Sequence, residues 1–279
     1  MNKKENEVKF KLNAKEEALR KLRWFYMKLK YLIFYQRLDF FNNINIEINT
    51  DCARRCSYCP NSIYERGLIK NRKRMKEEIY KKIIDELAEL NFRGVISPTH
   101  YGEPLLDNRI FKFMKYAKKK LPNATFLIFS NGDCLTIENY NRLIESGVTH
   151  LVLTQHEGVK SNNISKLFEY LDKNSSKKID ISFNTFDKNT PLFNRGGLVH
   201  PKQILYNPVC LYANNSVVID VDGNVILCCN DYLSTIKFGN VKKEKLIDIW
   251  KSKRYTDIRK DLLKKIFSYP ICKKCVGLI

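Results

Sequence analysis

The chain has no run of about 18 apolar residues, the stretch a membrane-crossing helix needs, so no transmembrane helix is expected. Its lysine-rich start has neither an apolar signal core nor a small-residue cleavage site, and the expected location is cytoplasmic. Acidic side chains are in short supply: 30 Asp and Glu stand against 50 Lys and Arg, a formal net charge of +20. Such an excess suits an anionic partner, whether nucleic acid, acidic lipid or a phosphorylated substrate. No RNA-binding module accompanies it, so a small molecule or peptide, anionic ones included, ranks above nucleic acid. Apolar residues are not scarce. At 44% hydrophobic and 12% aromatic, 279 residues can bury the core of one large domain, or of a domain with an appendage. Nine cysteines in a compartment that keeps thiols reduced point to metal or catalysis before disulfides.

Also missing is a fourth thiol beside the first three. Cys52, Cys56 and Cys59 are spaced C-x3-C-x2-C. A C-x2-C pair alone suits half a zinc site, as in a non-catalytic zinc protein that binds nucleic acid. Iron-sulfur clusters are normally held by four cysteines, so three leave one iron open to a substrate or cofactor. A second local feature, His100-Tyr101-Gly102-Glu103-Pro104, follows the apolar run at Gly94 to Thr99.

With Tyr58 just before the third cysteine, the loop resembles the cluster loop of the radical S-adenosylmethionine (SAM) superfamily. The resemblance implies a [4Fe-4S] cluster on Cys52, Cys56 and Cys59 whose open iron binds SAM. Reductive cleavage of SAM then gives a 5′-deoxyadenosyl radical that takes a hydrogen atom from the substrate. The Tyr101-Gly102-Glu103-Pro104 turn is similar to the family's Gly-Gly-Glu-Pro motif, with Tyr101 replacing the first glycine. There the backbone receives the SAM amino group, a close approach that glycine allows.

Hydrophobic periodicity supplies the frame. Asn43 to Thr50 alternates with isoleucines on one face and runs straight into the cysteine loop, a first strand. Helices are expected over Lys76 to Leu90, Asn108 to Lys120, Ile137 to Ser146 and Ile164 to Asn174. Strands are expected over Gly94 to His100, Ala124 to Phe129, Thr149 to Thr154 and Lys178 to Asn184. Such alternation implies a parallel sheet with right-handed crossovers. Helices all on one side would curl it into a partial barrel with functional residues at the C-terminal strand ends. The cysteine loop, Tyr101 to Glu103, Ser130 to Gly132 and Gln155 to Glu157 all follow expected strands. A doubly wound open sheet is the alternative. The expected fold is therefore α/β, a partial (β/α)6-type radical SAM barrel over residues 43–198.

Before it, residues 1–42 form an N-terminal extension. Ala18, Leu22, Phe25, Leu29 and Leu32 stand at helical spacing over residues 14–38, with Lys15, Arg20, Lys21, Arg23, Lys28 and Lys30 between them. This basic amphipathic helix suits peripheral membrane contact or a partner, and packing over the edge or bottom of the barrel is the reading preferred here. After it, from about Thr185, Asp, Asn, Pro and Gly make a loop. Residues 199–279 then carry five of the nine cysteines, an Asp222-Gly223 hairpin turn, and one or two helices over Lys245 to Lys265. Leu246, Ile249, Trp250, Ile258, Leu262 and Leu263 are the expected buried positions there. Cys134 is the odd cysteine, structural or incidental.

The C-terminal layout resembles the Twitch domain, a shortened SPASM domain, and is similar to that of the 2-deoxy-scyllo-inosamine dehydrogenase family. It implies one auxiliary [4Fe-4S] cluster on Cys210, Cys228, Cys272 and Cys275. Cys228 and Cys229 compete for one ligand position, because neighbours on a strand face opposite ways; the family spacing selects Cys228. A zinc ribbon is the alternative. The resemblance further implies that Ser130 and Asn131 line the adenosine or methionine of SAM, with Gln155 or Glu157 near the ribose, although polar strand ends also serve as turn formers. Arg195 is the expected substrate contact, able to hold oxygen substituents, and a loop-anchoring salt bridge is its alternative. His156 is a candidate proton acceptor. The expected function is a radical SAM oxidoreductase that dehydrogenates a polar small molecule, with a reducing partner such as flavodoxin or ferredoxin. Crosslinking or epimerising a ribosomal peptide is the alternative.

Overall fold

The computed structural model describes residues 14–159, 161–174, 179–187, 189–206 and 210–279. Residues 1–13 of the expected extension and the expected strand start at Lys178 lie outside these. Helix α1 (Ala14–Tyr35) leads into strand β1 (Asn43–Ile46), and the cysteine loop follows. Then come α2 (Glu77–Glu89), β2 (Val95–Ser97), α3 (Ile110–Lys120), β3 (Thr125–Ser130), α4 (Ile137–Glu145), β4 (His150–His156), α5 (Asn162–Asn174) and β5 (Asp180–Phe186). The expected alternation is present, with β4 reaching two residues further than its apolar pattern suggests.

Strands β1 to β5 stand side by side in chain order, each pair parallel. The order never reverses, so every right-handed crossover puts its helix on the same side of the sheet. In keeping with this, α2 packs on α3, α3 on α4, and α4 on α5. A doubly wound sheet needs a reversal point among its crossover strands, and the run from β1 to β5 contains none. The C-terminal ends of the strands consequently gather around one mouth.

The remaining elements are a short parallel pair, β6 (Leu192–Phe193) and β7 (Ile204–Leu205), then α6 (Tyr212–Asn215), β8 (Ser216–Ile219), β9 (Asn224–Ile226), β10 (Lys237–Asn240), α7 (Leu246–Lys251), α8 (Lys253–Leu263) and α9 (Pro270–Cys275). The expected hairpin is β8 and β9, turning at Gly223 with φ +86°, a conformation glycine adopts without strain. It does not stand alone. Strand β8 pairs in parallel with β1, Ile44 opposite Val217, so β8, β9 and β10 extend the barrel sheet.

Ile44, Ile46 and Ile48 are fully buried, the apolar face that the alternation in β1 implied. Burying each such side chain contributes roughly 1.5–3 kcal/mol. Leu246, Ile249, Trp250, Ile258 and Leu262 are buried, whereas Leu263 is only half-buried at the end of α8. Among its described residues, helix α1 meets the rest of the fold through Tyr31 and Tyr35. Tyr31 donates to Asn215 Oδ1, and the Arg93 amide donates to the Tyr35 hydroxyl at 3.0 Å.

Candidate active site

The cysteine loop is held from three sides. Its entry is fixed by the Cys52 amide donating to Gly67 O at 3.1 Å, and by Arg55 bridging Cys52 O and Gly67 O at 2.8 and 2.9 Å. Arg54 grips Asp133, beyond β3, through two bonds of 2.7 and 2.6 Å. Paired guanidinium-carboxylate bonds of this kind fix direction as well as distance. The third tie is Glu157, past the end of β4, whose Oε1 accepts from the Ser57 amide at 3.0 Å and from the Ser57 hydroxyl. Glu157 adopts φ 53° and supports the loop from outside.

Burial pushes the Cys52 thiol up to about 12 and Cys56 up to about 11, and raises Cys59 as well. The three also act on one another, since a second or third thiolate nearby raises the first. Asn131 Nδ2 approaches Cys52 Sγ at 3.8 Å. Beside them lies the Tyr101-Gly102-Glu103 turn. The Glu103 amide donates to Asp51 O at 2.8 Å, and Asn49 Nδ2 donates to Glu103 O at 2.9 Å, lacing the turn to the end of β1. A Cβ on Gly102 would stand 2.2 Å from Asn49 O, so only glycine fits there. The Glu103 carboxylate accepts from Ser130 Oγ at 2.8 Å, from the Asn131 amide at 2.9 Å and from the Leu105 amide at 3.3 Å. Burial raises its pKa to about 7 despite these bonds.

The second cysteine set comes from Cys210 before α6, Cys228 after β9, and Cys272 and Cys275 on α9. All are raised by burial, Cys272 to about 12, and Cys210 acts on Cys228, Cys272 and Cys275 alike. Asn230 Nδ2 donates to Cys275 Sγ at 3.2 Å. Strand β9 ends at Ile226, so Cys228 and Cys229 occupy the turn beyond it, and strand alternation does not separate them as expected. Their surroundings differ nonetheless: Cys229 lines the central cavity, while Cys228 does not.

That cavity, about 1260 Å³, opens at the strand ends. Cys52, Cys56, Cys59, Tyr58, Gly102, Glu103, Ser130 and Asn131 line it on one side, and Arg195, Tyr212 and Cys229 on another. Gln155 does not line it. With β4 continuing to His156, side chains alternate, and Thr154 and His156 face inward in its place. His156 is pushed down to about 4 by burial and then by the Arg54 charge, so its ring is neutral, and Nδ1 meets the Tyr58 hydroxyl.

Arg195 sits where the two cysteine sets meet. Its positive charge favours the thiolates of Cys59, Cys229 and Cys275. The residue is in the left-handed region at φ 52°, followed by Gly196 and Gly197, whose added Cβ atoms would strike Ile271 and Lys274 of α9. Close packing on α9 therefore sets its direction. Nε of Arg195 is buried and has no hydrogen-bond partner, a donor available to a ligand.

Sequence reasoning missed a buried polar group beneath the cavity. Glu47, fully buried, takes the Arg66 guanidinium at 2.5 Å and the Val221 amide at 3.1 Å on Oε2. His100 Nδ1 stands 3.6 Å from Oε1. Burial alone would raise the Glu47 carboxyl, but the His100 ring and Arg66 hold it down at about 2. The only local signal was a charged residue within an alternating strand.

The donor sets fit iron-sulfur clusters: each is all thiol, with Cys56 and Cys272 buried and the others half-buried, and within each set thiolates act on one another. Among the described residues no three His, Cys, Asp or Glu side chains converge on a single point. The three-thiol set opens beside Gly102 and Glu103, which leaves room for a cofactor on an unshared iron.

Residues 46–191 match the radical SAM superfamily, and residues 210–276 match the SPASM iron-sulfur cluster-binding domain. The chain is 33% identical over 242 residues to the S-adenosyl-L-methionine-dependent 2-deoxy-scyllo-inosamine dehydrogenase of Niallia circulans, covering 84% of this chain and 92% of that one. It is 24% identical over 313 residues to the tungsten-containing aldehyde ferredoxin oxidoreductase cofactor-modifying protein of Pyrococcus furiosus, covering 82% and 86%. The crystal structure of BtrN in complex with AdoMet and 2-DOIA superposes with TM-score 0.75 at 32% identity, covering 85% of this chain and 93% of that one.

Proposed function

The chain belongs to the radical SAM superfamily, and on that premise we propose that it dehydrogenates an alcohol on a polar small molecule such as a sugar or aminocyclitol. One observation carries the reading: Arg195, with an unpaired buried Nε, lines the same cavity as the three-cysteine loop and acts electrostatically on the second cysteine set. A substrate on Arg195 would therefore lie between a hydrogen-abstracting site and an electron acceptor. A relative whose name states such a dehydrogenation supports the assignment.

When bound, SAM on the [4Fe-4S] cluster supplies a 5′-deoxyadenosyl radical, and the auxiliary [4Fe-4S] cluster an acceptor for the substrate's second electron. Cys52, Cys56 and Cys59 would hold the first cluster; Cys210, Cys228, Cys272 and Cys275 would hold the second. Gly102 would admit the SAM amino group to the backbone, and Glu103 would stand beside it with Ser130 and Asn131 fixing its carboxylate. Tyr58 would flank the adenosine. Glu157 supports the loop through Ser57 and would act on SAM only through that loop. Arg195 would bind substrate oxygens and favour a deprotonated carbinol. His156, neutral, would present Nε2 to the cavity as a proton acceptor in the tautomer whose Nδ1–H donates to the Tyr58 oxygen. A low-potential donor such as flavodoxin or ferredoxin would supply the initiating electron.

Anaerobic reconstitution should load about eight irons and eight sulfides per chain, as two [4Fe-4S] clusters require. With SAM and dithionite, a panel of aminocyclitols and sugars should yield one ketone for each 5′-deoxyadenosine formed, and Cys56→Ala should form neither. Full iron loading with SAM cleavage but no ketone from any alcohol would reject dehydrogenation while leaving the family intact.

A further inference from the structure

Helix α1 has two unlike faces. At about 100° per residue, Met27, Tyr31 and Tyr35 fall on one side and meet the barrel, Tyr31 being only 3% exposed. On the other side Leu22, Phe25, Leu29, Leu32 and Ile33 share an arc of about 100°. All five are exposed, Leu22 and Phe25 at 63% and Ile33 at 65%. Basic side chains border this arc along both edges, Lys21 and Lys28 on one and Arg23 and Lys30 on the other, by the same 100° step. No acidic residue occurs from Ala18 to Tyr35.

We propose that α1 is an interfacial helix that seats this protein on an anionic lipid bilayer, its apolar arc in the acyl boundary and its two basic edges at the phosphates. Contiguous apolar surface of this kind on a folded protein marks an interaction site. The charge pattern chooses the occupant. Two copies meeting through this face would bring lysine and arginine edges against each other, whereas anionic headgroups complement both edges at once. Among the described residues no helix is long and apolar enough to cross a membrane, so α1 lies along the surface. Leu19, Arg23, Tyr26 and Met27 of the same helix also line the central cavity, which puts the cavity mouth at the bilayer.

Flotation of the full chain with phosphatidylcholine vesicles, and with vesicles containing about one third phosphatidylglycerol, tests it. The chain should float with the anionic vesicles only and be released by high salt. Phe25→Asp with Ile33→Asp should lower the bound fraction at least about tenfold, and Lys21→Glu with Lys28→Glu and Lys30→Glu should do the same. Iron content and 5′-deoxyadenosine formation should be unchanged in both, which separates loss of binding from loss of fold. Failure to bind anionic vesicles, equal binding to phosphatidylcholine alone, or undiminished binding by the Phe25/Ile33 variant would each overturn the proposal. So would a dimer in sedimentation velocity that this variant splits, with no vesicle binding, since a second copy would then cover the face.

Discussion

Nε2 of His100 donates to the carbonyl of Cys229 at 3.1 Å. His100 stands two residues before Gly102, and Cys229 directly follows Cys228, so one imidazole joins the turn beside the three-cysteine loop to the turn of the second set. Beneath it Glu47 pairs with Arg66 of the segment that follows the cysteine loop. The two halves of the cavity wall thus share one buried polar anchor.

Replacing Glu47 with Gln leaves Arg66 without its counter-charge, and breaking a buried pair in this way costs about 3–5 kcal/mol. Urea unfolding at pH 7 should register that loss. Because the Glu47 carboxyl is held down at about 2, its contribution is present above about 4.5 and lost as pH falls through about 2. The variant should accordingly lack part of the acid-unfolding slope in that window.

Glu103 works in the opposite sense. Its pKa is raised to about 7, so the folded state holds the proton more tightly than the unfolded chain does. The stabilisation is full below about 4.5 and declines as pH rises through about 7. Melting temperatures from pH 5 to 8 should fall for the parent and stay flatter for Glu103→Gln. Parallel curves would remove Glu103 as the titrating group.

Gly102→Ala should be damaging out of proportion to one methyl group. The added Cβ would lie 2.2 Å from Asn49 O, backbone that cannot swing aside. Moving it shifts the end of β1 and the cysteine loop together, with a cost of about 1–3 kcal/mol for overpacking. SAM affinity, measured by equilibrium dialysis, should fall at least about tenfold.

Arg195→Met should uncouple the two halves of the reaction. SAM cleavage with dithionite should persist, because Arg195 lies outside the loop carrying Cys52, Cys56 and Cys59, while ketone formation should fall at least about a hundredfold. Arg195→Lys keeps the charge but loses the planar fork, and should recover little. Equal loss of SAM cleavage and ketone formation would make Arg195 a structural residue.

Much of the frame was legible because it is written locally. Period-2 and period-3.6 patterns mark β1 to β5 and α2 to α5, and the C-x3-C-x2-C spacing is contiguous. What escaped was parity and distance. Strand β4 runs on to His156, two residues beyond its apolar pattern, and the continued alternation puts His156 with Thr154 on the cavity side and Gln155 on the other. Cys228 and Cys229 looked like strand neighbours because the hairpin pattern does not show that β9 stops at Ile226. The polar face of β1, with Asn43 and Asn45, reads as a solvent face in any alternating strand, yet it looks into the barrel cavity.

By itself the sequence determined the chemistry available and the order of the elements: two thiol sets, a Gly-Glu-Pro turn and a β/α alternation, each set by neighbours within a few residues. Tertiary structure alone decided which groups share a space. Arg195 lies between the cysteine sets because Gly196 and Gly197 press its loop onto α9. Glu47, Arg66 and His100 meet because β1, the loop after the cysteines and the end of β2 converge under one cavity. Such pairings depend on curvature of the sheet and closure of the chain over long separations, and no local pattern of residues carries that information.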